Sequence, residues 1–394
     1  MDDGSLIQSA YMDYQSTTPL DERVLAAMMP YLTTKFGNPH SAEHRFGWEA
    51  EVALDVAREQ VAKVVGAQAE TITFLSGATE ANNLALKGVL DVWGEKQPHL
   101  ITVATEHKCV LEAAVSWERR GFNVTFLPVG RNGLIDLKQL KASITSETAL
   151  VSVMAVNNEI GVIHPLHEIG ALCREKEVLF HTDAAQAYGK IPIAVDKMNI
   201  DFMSISAHKI YGPKGIGALY RRRSHKTALE PQMLGGGQEG GLRAGTQAPA
   251  LVAGFGKAAQ ICGQEMAQEE GRLRTMMIRL IAGLKKAAPG MIINGDTGSR
   301  WIGNLNVCFP GLDGDRLFAD VRGLAVSSGA ACASATTGPS YVLEAIGLSD
   351  SEAKSSLRLG IGRQTTDGEI DYAISKISEA VAKQGGCSKE GFTK

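Results

Sequence analysis

The sequence predicts an α/β protein, with a large domain on a mostly parallel seven-stranded sheet and a smaller α+β domain. Two observations carry this. Between residues 71 and 221, short and nearly unbroken apolar runs alternate with amphipathic ones, the pattern of strands covered by helices on both faces. Near residue 260 the rhythm changes, and the elements that follow are fewer and less regular. A length of 394 residues suits such a two-part division.

The elements follow in order. "TITFL" (71–75) reads as a strand and "ATEANNLALKGVLDVW" (78–93) as a helix beginning at its cap. "HLITVA" (99–104) is a strand, "VLEAAVSWERR" (110–120) a helix and "NVTFLPV" (123–129) a strand. "TALVSVMAV" (148–156), "VLFHTD" (178–183), "DFMSIS" (201–206) and "GIGALYR" (215–221) complete a set of seven strands. "LHEIGALCREKE" (166–177) supplies a further helix. A long amphipathic helix is expected over 265–290, then strands at "NLNVCF" and "SSLRLGIG" with helices at "DRLFADVRG" and "ISKISEAVAKQ". The expected domains are residues 16–260, and residues 1–15 with 261–394. The Gly-rich "LGGGQEGGLRAGT" reads as a loop.

Composition excludes several functions. A net charge of -3 is too small to recruit nucleic acid or an anionic membrane. No apolar run reaches the length of a membrane span, and the acidic start "MDDGSLIQSAYMDY" has no targeting character. The six cysteines include no C-x-x-C pair, so neither a disulfide framework nor a structural zinc site is expected. No metal site and a cytoplasmic, reducing location are the expectations. Cys262 and Cys308 fit apolar patterns and read as core residues. Cys109, two residues past His107, is ambiguous.

The chemistry gathers where strands end, the edge at which open parallel sheets bind ligands. "SGATE" joins a strand to a helix, so the N–H groups near Ala78 and Thr79 form an anion site; the same residues also read as an ordinary turn and cap. Asp183 in "FHTDAAQ" ends a strand, with Gln186 a turn further on; a cap is the bland alternative. "SISAHKIYGPKGIG" places Ser206, His208 and Lys209 together past another strand. A loop lysine is ordinarily a solvated charge, but desolvation here would make it nucleophilic. A phosphate cradle, a carboxylate and a lysine on one edge are the parts that hold pyridoxal 5'-phosphate. His107 in "TEHKCV" can stack on its ring, or cap a helix.

These segments, with "YMDYQSTTPLDERV", "FGNPHSAEHRFGWEAE", "VNNEIGV", "RAGT", "SSGAACASA", "PSYVLEAIGL" and "SSLRLGIGR", resemble the IscS/NifS-type cysteine desulfurases. These are class V members of the fold type I pyridoxal-phosphate enzymes, and the resemblance covers roughly residues 10 to 375. It implies that Lys209 holds the cofactor covalently, that His107 stacks on it and assists proton transfer, and that Asp183 pairs with the pyridine nitrogen. Gln186 and Asn158 would contact cofactor and substrate. Ala78, Thr79, Ser206 and His208 would hold the phosphate, with Thr246 supplied by the other subunit of a homodimer. Arg358 would clamp the carboxylate of L-cysteine. Cys332, in a run of glycine, alanine, serine and threonine too small to pack a core, would take the substrate sulfur as a persulfide. It would then pass that sulfur to an acceptor or an iron–sulfur scaffold protein, for iron–sulfur cluster assembly or for tRNA thiolation.

The sequence departs from the family at a few places. Ala330 and Ala333 stand where hydroxyl residues are common, and Gly240 where a basic residue is frequent. "RRRSHK" (221–226) reproduces an arginine patch only in part. The ending "GGCSKEGFTK" does not have the apolar tail with which housekeeping members dock a scaffold, so the acceptor is left open. Selenocysteine lyase shares the motifs. A class V transaminase needs no loop cysteine, a silent partner-binding homologue would dispense with Lys209 or Cys332, and "SGATEANN" is no dinucleotide fingerprint.

Overall fold

A computed structural model describes residues 9–328 and 339–386. The chain enters through a short strand, β1 (Ala10–Tyr11), and two helices, α1 (Glu22–Thr33) and α2 (Arg45–Lys63). Then β2 (Ile72–Leu75), α3 (Ala78–Trp93), β3 (His99–Val103), α4 (Lys108–Glu118) and β4 (Asn123–Leu127) alternate. α5 (Leu137–Ser143), β5 (Thr148–Ser152), α6 (Leu166–Glu175), β6 (Leu179–Asp183), β7 (Phe202–Ser206) and β8 (Gly217–Arg221) follow. All seven strands read from the sequence are present, and they form one sheet in the order β2-β8-β7-β6-β5-β3-β4. Only β8 runs against its neighbours. β3 has β4 on one side and β5 on the other, so the chain reverses its direction of travel there and leaves a crevice at the carboxyl ends of the strands.

Both faces of this sheet are covered, and the inner strands β3, β5, β6 and β7 are buried almost along their whole length, while the edge strand β4 is only partly so. Leu84, Ala85, Leu86 and Val89 of α3 and Trp117 of α4 pack on one face. Leu54, Ala57 and Val61 of α2 and Ile169 of α6 pack on the other. A second core lies around a smaller antiparallel sheet. The helix α7 (Pro249–Ala287) leads into it, followed by β9 (Ile292–Ile293), β10 (Asn304–Cys308), α8 (Gly314–Asp320), β11 (Leu324–Ala325) and β12 (Ser327–Ser328). Past the undescribed residues come α9 (Tyr341–Ala345), α10 (Asp350–Lys354), β13 (Ser356–Gly360) and α11 (Asp367–Lys383). The small sheet has the order β12-β13-β10-β9, and Leu305, Leu357, Leu280 and Ile377 fill the space beneath it.

One sequence expectation is corrected here. The long helix starts at Pro249 rather than at residue 265 and runs 39 residues, about 58 Å. Its first half, "PALVAGFGKAAQICGQ", is small and apolar, so it carries no charged face to betray a helical period. Its three glycines lower helix propensity, yet the packing requires two of them. A Cβ at Gly256 would lie 2.6 Å from Ala57 Cα on α2, and one at Gly254 would lie 2.7 Å from Met28 on α1. Val252, Phe255 and Ala259 belong to the first core, while Leu273, Met277 and Leu280 belong to the second. One helix therefore serves both.

Candidate active site

A cavity of about 490 Å³ opens at the carboxyl ends of the central strands. Each group reaches it from a strand end. β2 runs through Ser76 and Gly77 into α3, where Gly77 is the N-cap and no side chain caps the first turn. The N–H groups of Ala78 and Thr79 thus lie at a helix start aimed at the cavity, the arrangement that receives an anion. This turn sits very close to β8: a Cβ on Gly217 would lie 2.4 Å from the Ile205 carbonyl oxygen and 2.6 Å from Gly77 Cα. Glycine at 217 lets the turn seat on the sheet.

β6 ends in Asp183, which is buried. One carboxylate oxygen accepts from the Ala185 amide at 2.8 Å and the other from Asn82 Nδ2 at 2.7 Å. The turn contact is the bland role expected of this acid, and the cavity position is the chemical one; Asp183 fills both. β7 delivers Ser206, His208 and Lys209. Lys209 Nζ donates to the Ser16 carbonyl at 2.7 Å and to that of Gln15. His208 Nδ1 pairs with Thr17 Oγ1 at 3.0 Å. Burial and the cations Lys209, Lys214 and Lys190 push its pKa down to about 4, so the ring is neutral.

β3 delivers His107, which is the N-cap of α4 and also lines the cavity. Its Nδ1 accepts from the Cys109 amide and lies 3.0 Å from the Cys109 thiol. Beneath it, Glu106 is fully buried and accepts from the Met154 amide at 2.5 Å. Burial, reinforced by the nearby Asp183 carboxylate, pushes its carboxyl pKa well up. From the small sheet, β13 brings Arg358, which donates to the Asn158 carbonyl at 3.0 Å and forms an ion pair with Asp13 at 2.7 Å. Gln186 completes the wall, with its Nε2 donating to the Gln15 carbonyl at 2.8 Å.

Ten of the twelve sequence-derived residues therefore line one cavity: Ala78, Thr79, His107, Asn158, Asp183, Gln186, Ser206, His208, Lys209 and Arg358. Thr246 does not; in the single chain it lies exposed, outside the cavity. Cys332 lies outside the described residues. Cys262 and Cys308 are buried, as their apolar contexts suggest, and burial pushes the Cys262 thiol up to about 12. Cys109 lines the cavity.

Sequence reasoning missed Asn82, Lys214 and a stretch of the N-terminal segment. Asn82 holds Asp183 from a fully buried position on α3; a lone amide on an otherwise apolar helix face was the available signal. Gln15, Ser16 and Thr17 line the cavity from the N-terminal segment, and they act partly through carbonyls, which no side-chain motif encodes.

The donor set fits pyridoxal 5'-phosphate. The helix start, Ser206, His208 and Lys214 suit a phosphate ester; Asp183 suits a protonated ring nitrogen; Lys209 suits an aldehyde. Two buried polar atoms, Arg358 Nε and Asn158 Oδ1, have no partner among the described residues, as expected of groups meant for a ligand.

Residues 10–373 match the family Aminotransferase class-V. "Cysteine desulfurase IscS" of Rickettsia typhi is 53% identical over 373 residues, 95% of this chain and 91% of that relative. "Probable cysteine desulfurase, mitochondrial" of Schizosaccharomyces pombe is 55% identical over 372 residues, 94% of this chain and 74% of that one. Among solved structures, a "NIFS-LIKE PROTEIN" superposes with a TM-score of 0.88 at 35% identity, covering 95% of this chain and all of the other. "SspA in complex with cysteine" superposes with a TM-score of 0.81 at 38% identity, covering 90% of this chain and 99% of the other.

Proposed function

The chain belongs to the class V aminotransferase family and, within it, to the IscS-type cysteine desulfurases, which use pyridoxal 5'-phosphate; on that premise we propose what its cavity and Cys332 do. The protein converts L-cysteine to L-alanine and moves the sulfur onto Cys332. The observation that carries this reading is the convergence of Lys209, Asp183, His107 and the start of α3 on one cavity.

Lys209 would hold the cofactor covalently, Asp183 its ring nitrogen, and Ala78, Thr79, Ser206 and His208 its phosphate. When bound, the cofactor supplies an electron sink for the bond changes in the amino acid. Everything else belongs to the chain. Arg358 receives the substrate carboxylate, and its part-buried ion pair with Asp13 fixes the guanidinium in place. Asn82 holds the Asp183 carboxylate in place by donating to it. His107 exchanges protons at Nε2, because Nδ1 is engaged by the Cys109 amide. Asn158 and Gln186 orient the bound molecules. The Cys332 thiolate attacks the substrate sulfur; the Cβ–S bond breaks, its electron pair stays on the three-carbon fragment, and a proton there completes alanine. The sulfur stays on Cys332 as a persulfide, which an acceptor thiol or an iron–sulfur scaffold protein can take.

In the same reading residues 16–260 form the cofactor-binding domain, and residues 1–15 with 261–394 form the small domain that carries Cys332. The two separate apolar cores support this division. The working form is a homodimer in which Thr246 completes the partner's phosphate site. Two features support that: Thr246 is exposed in the single chain, and Leu32, Phe36, Trp48 and Val52 are more than half exposed along α1, α2 and the segment between them. A cytoplasmic location belongs to the same proposal. Among the described residues no helix is long and apolar enough to cross a membrane.

The direct test is formation of alanine from L-cysteine by the purified protein with added cofactor. Wild type should form it and Lys209→Ala should not, although that variant can still bind the cofactor through its phosphate. Full turnover by Lys209→Ala would overturn the assignment.

A further inference from the structure

Behind the cavity wall lies a second lysine, Lys190, on the segment that follows β6. It does not line the cavity. Its Nζ donates to Gln186 Oε1 at 2.9 Å and sits 4.5 Å from the centre of the Trp301 ring. On the other side, Gln186 Nε2 donates to the Gln15 carbonyl at 2.8 Å, the carbonyl that also receives Lys209.

These contacts fix which way the amide points. A primary amide has one oxygen and one nitrogen with two N–H groups, and its orientation follows from its partners. The Gln186 atom facing Lys190 is the oxygen, which accepts from Nζ. The Gln15 carbonyl only accepts, so the atom facing it is nitrogen. With the oxygen committed behind the wall, what Gln186 can present to the cavity is its second N–H.

We propose that Lys190 is a positioning residue, which turns the Gln186 amide so that the cavity is offered a hydrogen-bond donor instead of a carbonyl. The matching ligand group is an acceptor oxygen, such as the phenolic oxygen carried on the ring of a bound pyridoxal 5'-phosphate. The proposal rests on the reading that the cavity holds this cofactor. Without Lys190, Gln186 Oε1 is left without its donor and can turn toward Lys209 and Arg358 in the cavity. The amide then meets that phenolic oxygen with the wrong polarity.

The test is a double-mutant cycle on full-length protein, with apoenzyme titrated with pyridoxal 5'-phosphate and the visible absorption band recorded. Lys190→Met keeps the stem over Trp301 and removes the donor. It should weaken cofactor binding about five- to tenfold, the net worth of roughly one hydrogen bond, and move the band. Lys190→Arg, which retains donors, should recover most of both effects. In a Gln186→Ala background Lys190→Met should add nothing, because its effect passes through Gln186. Equal losses in both backgrounds, or a Lys190→Met protein with wild-type affinity and band, would overturn the proposal. A Gln186→Ala protein that binds like wild type would refute something different, the placement of Gln186 at the cofactor, and the proposal would fall with it.

Discussion

Asp183 and Asn82 illustrate how one contact can be tested by changing a single atom. Asn82 Nδ2 and the Ala185 amide both donate to the Asp183 carboxylate. An asparagine at 183 offers one oxygen and one amide nitrogen, so one of these donors loses its acceptor, and the negative charge is gone. Asp183→Asn should therefore stay folded and lower the steady-state rate of alanine formation about 100- to 1000-fold, the scale for removing a single preorganised electrostatic partner. A rate near wild type would reduce Asp183 to its turn contact. Glu159 offers a prediction about pH. It is buried, accepts from Ser340 Oγ at 2.5 Å, and burial raises its pKa from 4.5 to about 7. Between those values the folded state keeps a proton that the unfolded chain gives up, so this group's stabilising contribution is full below about pH 4.5 and falls as pH rises toward 7. The loss is on the order of 3 kcal/mol. Glu159→Gln keeps an acceptor for Ser340 and has no proton to lose. Denaturation midpoints measured against pH should fall more steeply for wild type than for the variant across that window; parallel curves would refute the shift.

At the scale of elements, the turn between β2 and α3 depends on a glycine in a different strand. Gly217→Ala would drive a Cβ into the Ile205 carbonyl and Gly77, lifting the helix start off the sheet. Overpacking of this kind costs about 1–3 kcal/mol, and here it should also weaken cofactor binding through its phosphate. Gly237→Ala, where a Cβ would meet nothing within 4 Å, is the control and should leave the binding isotherm unchanged. Unaltered affinity in Gly217→Ala would show that the helix start does not hold the phosphate. This dependence also marks where the sequence is legible. The strands of the large sheet announce themselves because both faces are buried, and α3 begins at the residue expected from its cap. The first half of α7 does not, because its glycines answer to packing against α1 and α2, and no local pattern records that. Lys209, Asp183 and His107 are visible as side chains at strand ends. The carbonyls of Gln15 and Ser16 are invisible, because backbone groups acquire a role only when distant segments meet.

The whole molecule is proposed to work as a pair. In the single chain Thr246 is exposed while apolar side chains of α1 and α2 face solvent, so association would cover an unfavourable surface and complete the phosphate site in one step. Sedimentation should give a dimer. Lys209→Ala and Thr246→Ala chains, each impaired alone, should regain activity when refolded together, because one of the two sites in the mixed dimer then holds both groups. A monomer with wild-type cofactor affinity would contradict this.

The claim that unites these scales is that sulfur leaves L-cysteine in the cavity and arrives on Cys332. Mass spectrometry of the protein, intact and after proteolysis, following exposure to L-cysteine without reductant, tests it most directly. The account predicts about one added sulfur per chain, as a single nucleophilic attack requires, located on the peptide containing Cys332, removed by reductant, and absent from Cys332→Ser. Added sulfur that persists in Cys332→Ser, or that resides on Cys109 in the wild-type protein, would contradict it.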